Sequence, residues 1–322
     1  MKVFLAKLAA FLAIQAAIAA VLVAHAREDD NDYIAATIEK HQRLEMLTQN
    51  GDPKVIFVGG SSMAFSMDCE IIEGELPHYR AVNMGIQATL GARFMLWEVL
   101  ADLREGDVVV LGLEYEHYER DLTSHHLLRL IHVHPPNIRH VPWKQLPDMA
   151  FSYIGHVTHL GRRGLFGKTP RAEPPFLRRG FNEYGDVVVH HTLPPDRSDQ
   201  PAEFLTGKGP PGYLDTMADA MNAFHRTCRR KGARVFLVAP PVREMDYRQC
   251  GADLDALFAR LRRKTTIPIL LAPDEAVYPS TLFFHAKYHL TREGARQRAR
   301  KIALRLQRHL GIALTAPEAD PP

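Results

Sequence analysis

Two short stretches at opposite ends of this 322-residue chain carry residue types that could carry out acyl chemistry together. Near the start, Gly59-Gly60-Ser61-Ser62 follows at once on the apolar run Val55-Ile56-Phe57-Val58. A hydroxyl set in a glycine turn between a strand and a helix is well placed as a nucleophile, because the helix start favours developing negative charge. Near the end, His289 stands in a run from Phe283 to Gly294, just before a helical pattern with Thr291 as its N-cap. A serine nucleophile needs such a base within hydrogen-bond reach, and N–H donors for the oxyanion. Each stretch also has a plainer reading. The glycines turn the chain, the serines cap a helix, and any one of 17 histidines is more often structural than catalytic.

The elements that must position these residues alternate along the chain. Residues 55–58 read as a buried strand and 63–76 as a helix. Residues 80–82 read as a second strand running into Asn83-Met84-Gly85, and 91–104 as a helix. The clearest buried strand is 108–113. The pattern resumes with a helix at 212–231, a strand at 233–238, a helix at 252–264, a strand at 268–271 and a terminal helix at 293–310. Strands and helices joined by short connections predict right-handed βαβ units in an α/β fold with a parallel sheet of about five strands. In such sheets ligands bind at the carboxyl edge of the strands, where Ser61 falls. Between residues 117 and 212 the rhythm stops. Helical pieces at 124–133 and 146–160 and a strand at 187–190 suggest an insertion forming a cap or a cleft wall.

The amino terminus has a different character. Lys2 and Lys7 precede an apolar run over 8–24 broken only by Gln15, and Arg27-Glu28-Asp29-Asp30 follows. Residues 1–26 therefore read as a signal anchor or a signal peptide, with Ala24-His25-Ala26 fitting a cleavage site. The length of the run favours the anchor, and the charge flanks put the body on the periplasmic or extracytoplasmic side. Residues 27–53 then link to a main domain over 54–310, with a disordered tail at 311–322. The net charge of +3 is small and its basic residues are scattered, which argues against nucleic acid as a partner. Cys69, Cys228 and Cys250 allow at most one disulfide and have no metal spacing. The insertion holds His125, His126, His132, His134, His140, His156 and His159, but no cysteine pattern or His-Glu-x-x-His helix completes a metal site. Residues 164–167 lack the Lys-Ser/Thr of a phosphate loop, and no cofactor motif is present.

Taken together, the blocks Gly59-Gly60-Ser61, Asn83-Met84-Gly85 and His289-Leu290-Thr291-Arg292-Glu293-Gly294 resemble those of the SGNH/GDSL hydrolase superfamily. The resemblance implies a flavodoxin-like three-layer α/β/α sandwich. It makes Ser61 the nucleophile, or Ser62 on an offset alignment, and His289 the general base. The oxyanion hole falls to the N–H groups of Ser61 and Gly85. Two departures accompany it. The family's third block, Gly-x-Asn-Asp, reads Gly112-Leu113-Glu114-Tyr115, where an ionised Glu114 would repel an oxyanion and Tyr115 could donate to one. The triad acid is expected three or four residues before the histidine, where Ala286 and His285 stand instead. Glu114, Asp274 or a backbone carbonyl would have to orient the ring. In architecture the chain is similar to membrane-anchored envelope members, such as the alginate acetylation proteins and the D-alanyl transfer protein of teichoic acid synthesis. That similarity implies an exported esterase or O-acyltransferase acting on an acylated carbohydrate polymer, beside a membrane-bound O-acyltransferase. The departures leave room for a catalytically weak scaffold of the same fold.

Overall fold

A computed structural model describes residues 1–141, 143–167, 171–196 and 200–312. The expected tail at 311–322 therefore lies almost wholly outside the described residues. The chain begins with α1 (Lys2–His25) and α2 (Thr37–Asn50), followed by β1 (Lys54–Gly59), α3 (Ser61–Ala64), α4 (Cys69–Glu75) and β2 (Arg80–Asn83). Next come α5 (Ala92–Glu98), β3 (Val108–Gly112), α6 (His125–Val133), α7 (Leu146–Leu165), α8 (Tyr213–Arg230) and β4 (Arg234–Val238). The chain ends with β5 (Val242–Arg243), α9 (Glu244–Lys264), β6 (Ile269–Leu271), β7 (Val277–Tyr278), β8 (Phe283–His285), β9 (His289–Leu290) and α10 (Arg292–Leu310).

Five strands form one parallel sheet in the order β2-β1-β3-β4-β6. Val55, Ile56, Phe57 and Val58 of β1 are wholly buried, as a central strand covered on both faces requires. Right-handed crossovers put α4 and α10 together on one face and α5, α8 and α9 on the other. Order reverses between β1, which leads out to β2, and β3, which leads the other way to β4. This is the topological switch point, and the crevice above it is where ligands bind in open α/β sheets. Ser61 leaves the end of β1 and Glu114 the end of β3, the two strands that flank this point.

Several expected elements differ. The helix expected over 63–76 is two short ones, α3 and α4, because Asp68 breaks it and caps the second through its bond from the Ile71 N–H. The strand expected at 187–190 is a 3-10 turn, with one isolated bridge between Phe181 and Val187. Residues 273–287, between the last expected strand and His289, hold β7 and β8, and β8 pairs with β9 in a tight hairpin. The helix expected at 252–264 starts earlier, at Glu244. All three cysteines are free thiols. Among the described residues no group of three or more His, Cys, Asp or Glu side chains is arranged to hold a metal ion. Helix α1 is long and apolar enough to cross a membrane and buries none of its residues in the body.

Candidate active site

The serine turn is held tightly from below. A Cβ on Gly60 would come within 2.5 Å of both Glu114 Oε1 and the Ala88 nitrogen, so only glycine fits there. Glu114 Oε1 accepts the Ser62 N–H at 2.9 Å, and its other oxygen faces His117 Nε2 at 3.4 Å. Burial raises the Glu114 pKa, but the nearby His117 imidazole and the Ser62 N–H outweigh it, so the carboxylate stays ionised. Ser62 is buried, with its hydroxyl turned inward to donate to the Gly112 carbonyl at 3.3 Å. Ser61, by contrast, is partly exposed and lines a cavity of about 400 Å³.

His289 lines the same cavity. It comes to this cavity because the β8–β9 hairpin turns back just before α10, with Ala286 at a positive φ of 53° in the turn. The hydroxyl of Ser66, just past α3, donates to the Tyr288 carbonyl at 2.6 Å and accepts the Leu290 N–H at 3.2 Å. These two bonds flank His289 on both sides and tie the hairpin to the serine turn. The imidazole stacks on Phe65, with ring centroids 4.1 Å apart and planes at 7°. Its Nδ1 lies 3.3 Å from His285 Nε2. When His285 Nε2 accepts that proton, His289 Nε2 carries the lone pair that a general base needs. Burial, then the neighbouring charges of His285 and His190, hold the His289 pKa well below its ordinary value. The ring is therefore neutral at pH 7. The Ser61 and His289 side chains share the cavity without a direct hydrogen bond. Such bonds are often long until substrate draws the groups together.

The remaining expected residues are placed differently. Gly85 lies beside the serine turn, but its N–H donates to Asn83 Oδ1 at 2.9 Å and is not free to meet an oxyanion. Asn83 is a buried hub whose amide also donates to the Met63 carbonyl at 3.0 Å and to Asp186 Oδ1 at 2.7 Å. Tyr115 is buried with its hydroxyl on the Pro240 carbonyl at 3.3 Å, turned away from the cavity. Asp274 is exposed on the turn after β6, and neither it nor Glu114 is among the groups that shift His289. The group beside the His289 ring is thus an imidazole, that of His285. The charge of Asp196 acts in turn on His285, opposing the burial that lowers its pKa.

The rest of the cavity has an apolar side and a polar side. Ile86 and Phe176 supply the first, and Gln87, His126 and Arg129 the second. His126 Nδ1 lies 2.9 Å from both Thr89 Oγ1 and Ser124 Oγ. Burial, with the charges of His125 and Arg129, pushes its pKa down to about 4. Arg129 is compensated by Glu28 at 3.0 Å and Asp32 at 2.7 Å. An acyl chain would fit the apolar side and a polyhydroxylated group the polar side.

Sequence reasoning missed the residues that hold this arrangement. Lys40 is buried on α2 and donates to the carbonyls of Asn83, Gly85 and Gly185 at 2.8, 2.5 and 2.6 Å. Burial pushes its pKa down to about 7. Arg298 of α10 is fully buried and donates to the carbonyls of Ser62 and Ala239, both at 3.2 Å. Both cations carried a legible signal. Arg298 falls on the stripe of Ala295, Ala299, Ile302 and Leu306, and Lys40 on that of Thr37, Leu44 and Leu47. A charge on an apolar stripe must be paired inside. Ser66 and Asp186 had no such signal. No family model matches the chain, and no curated protein matches it.

Proposed function

We propose that this chain is a membrane-anchored serine esterase or O-acyltransferase of the SGNH type, acting on an acylated carbohydrate or envelope polymer on the extracytoplasmic side. One observation carries the reading. Ser61 and His289, far apart in the sequence, line a single cavity beyond the carboxyl ends of β1 and β2 of a parallel sheet. In the proposed reaction Ser61 Oγ attacks the acyl carbonyl while His289 Nε2 takes its proton. The alcohol then leaves with that proton and an acyl-serine remains. Water as the next acceptor gives an esterase, and a sugar hydroxyl gives a transferase. The oxyanion would rest on the Ser61 N–H, with the Gln87 side-chain amide a further donor on the cavity wall.

A second reading has its own support. The Gly85 N–H is already occupied, and among the described residues no carboxylate backs the His289 ring to stabilise its charged form. These features favour a scaffold or binding protein in polymer modification that keeps the fold with weak catalysis. A fluorophosphonate probe on the detergent-solubilised full chain separates the two. An adduct at Ser61 that disappears in His289→Ala establishes the enzyme. No adduct on folded protein, beside a control hydrolase that reacts, establishes the scaffold.

A further inference from the structure

Helix α7 carries an apolar face that the body leaves uncovered. Phe151 is 84% exposed and Ile154 67%, and Leu165 is exposed on the same face by the 3.6-residue period. Arg162 shares this face near its carboxyl end. The opposite face is tied to the body. The Tyr153 hydroxyl lies 3.0 Å from His132 Nδ1, His156 Nε2 lies 3.4 Å from Glu28, and Leu160 is buried.

The neighbour of α7 identifies what covers the open face. Gly161 and Gly164 receive the last turn of α1. A Cβ at either would come within 2.3 Å of the carbonyl oxygens of Leu22 and His25. Small residues at a helix contact let two backbones approach this closely, as they do between helices in membranes. Helix α7 therefore meets α1 where α1 leaves the apolar span, and its open face continues the exposed apolar surface of α1. From the α1 exit a chain of charges leads to the cavity. Glu28 pairs with Arg129, and Arg129 with Asp32, and both Arg129 and Asp32 line the cavity with Ser61 and His289.

We propose that α7 is a second membrane contact, an interfacial helix that rests its Phe151–Ile154–Leu165 face on the bilayer crossed by α1, and that it holds the Ser61 cavity at the membrane surface. Phe151 and Ile154 enter the acyl–headgroup boundary, and the long stem of Arg162 lets its guanidinium reach the lipid phosphates. The cavity is then open to a substrate presented at the lipid surface. The proposal rests on α1 being a membrane span and is independent of whether Ser61 is reactive.

The test uses the full chain, with both its tryptophans replaced (Trp97→Phe, Trp143→Phe), in vesicles of phosphatidylcholine and phosphatidylglycerol with or without brominated acyl chains. A single tryptophan is then restored by Phe11→Trp in α1 or by Phe151→Trp in α7. Both are exposed positions that tolerate the larger ring. The expected result is blue-shifted emission at both sites, and loss of intensity at both in the brominated vesicles. Quenching at 11 without quenching at 151 overturns the α7 contact while leaving the anchor standing, and assigns the face to solvent or a protein partner. Quenching at neither site overturns the anchor and the α7 contact together.

Discussion

At the scale of single residues, the two adjacent serines have opposite roles. Ser61 faces the cavity, and Ser62 holds the turn through the Gly112 carbonyl. Ser61→Ala should abolish probe labelling with little change in stability. Ser62→Ala should keep labelling but lower stability by about 1–3 kcal/mol, the usual cost of leaving a buried partner unsatisfied. Labelling followed by mass spectrometry, with urea unfolding alongside, separates the two. The His289 environment makes a further prediction about pH. A base works in its neutral form, and burial beside two imidazoles keeps His289 neutral below its ordinary pKa. The labelling rate should therefore hold as pH falls below 6.5, where an unperturbed histidine loses its lone pair. A rate that halves near pH 6.5 would show that another group is the base.

At the scale of elements, the β8–β9 hairpin and the serine turn behave as one unit because Ser66 bonds to both sides of His289. Ser66→Ala removes these bonds without touching the cavity. It should slow Ser61 labelling while the far-ultraviolet circular dichroism stays native, and labelling unchanged from the parent would remove Ser66 from its positioning role. The Asn83–Gly85 turn is equally constrained. A methyl group at Gly85 would meet the Ala64 nitrogen at 2.7 Å and Met63 Cβ at 2.8 Å, and the first is backbone that cannot swing aside. Gly85→Ala should cost about 1–3 kcal/mol by overpacking, read from the shift of the urea midpoint.

At the scale of the whole molecule, the buried histidines make folding sensitive to acid. Burial pushes His41 down to about 4 and His190 down to about 3. Their folded pKa values lie below the unfolded one, so the unfolded chain takes up protons first as pH falls. The stability they contribute is therefore present above about pH 6.5 and is lost between there and pH 4. A shift of the size seen at His41 corresponds to about 3 kcal/mol. The urea midpoint should fall from pH 7 to pH 5, and the fall should be smaller in His41→Gln. At the amino edge of the sheet, Lys54 and Asp107 form a fully buried ion pair at 3.0 Å. Lys54→Met would leave the Asp107 charge unpaired and should destabilise by about 3–5 kcal/mol.

The parallel sheet and the apolar first helix were legible in the chain's residues, because both are written in local patterns. Runs such as Val55 to Val58 and Val108 to Leu111 can only be central strands when helices cover both faces. The sequence also marked Ser61 and His289, since glycine turns and helix starts are local signals. It left the choice between Ser61 and Ser62 open, because neighbouring residues in a turn point in different directions and burial alone separates them. What stands behind each group depends on long-range packing. It turned the Gly85 N–H onto Asn83, set His285 rather than a carboxylate beside His289, and put Ser66 across the hairpin. These are contacts between segments up to 224 residues apart, and no local pattern encodes a partner at that distance.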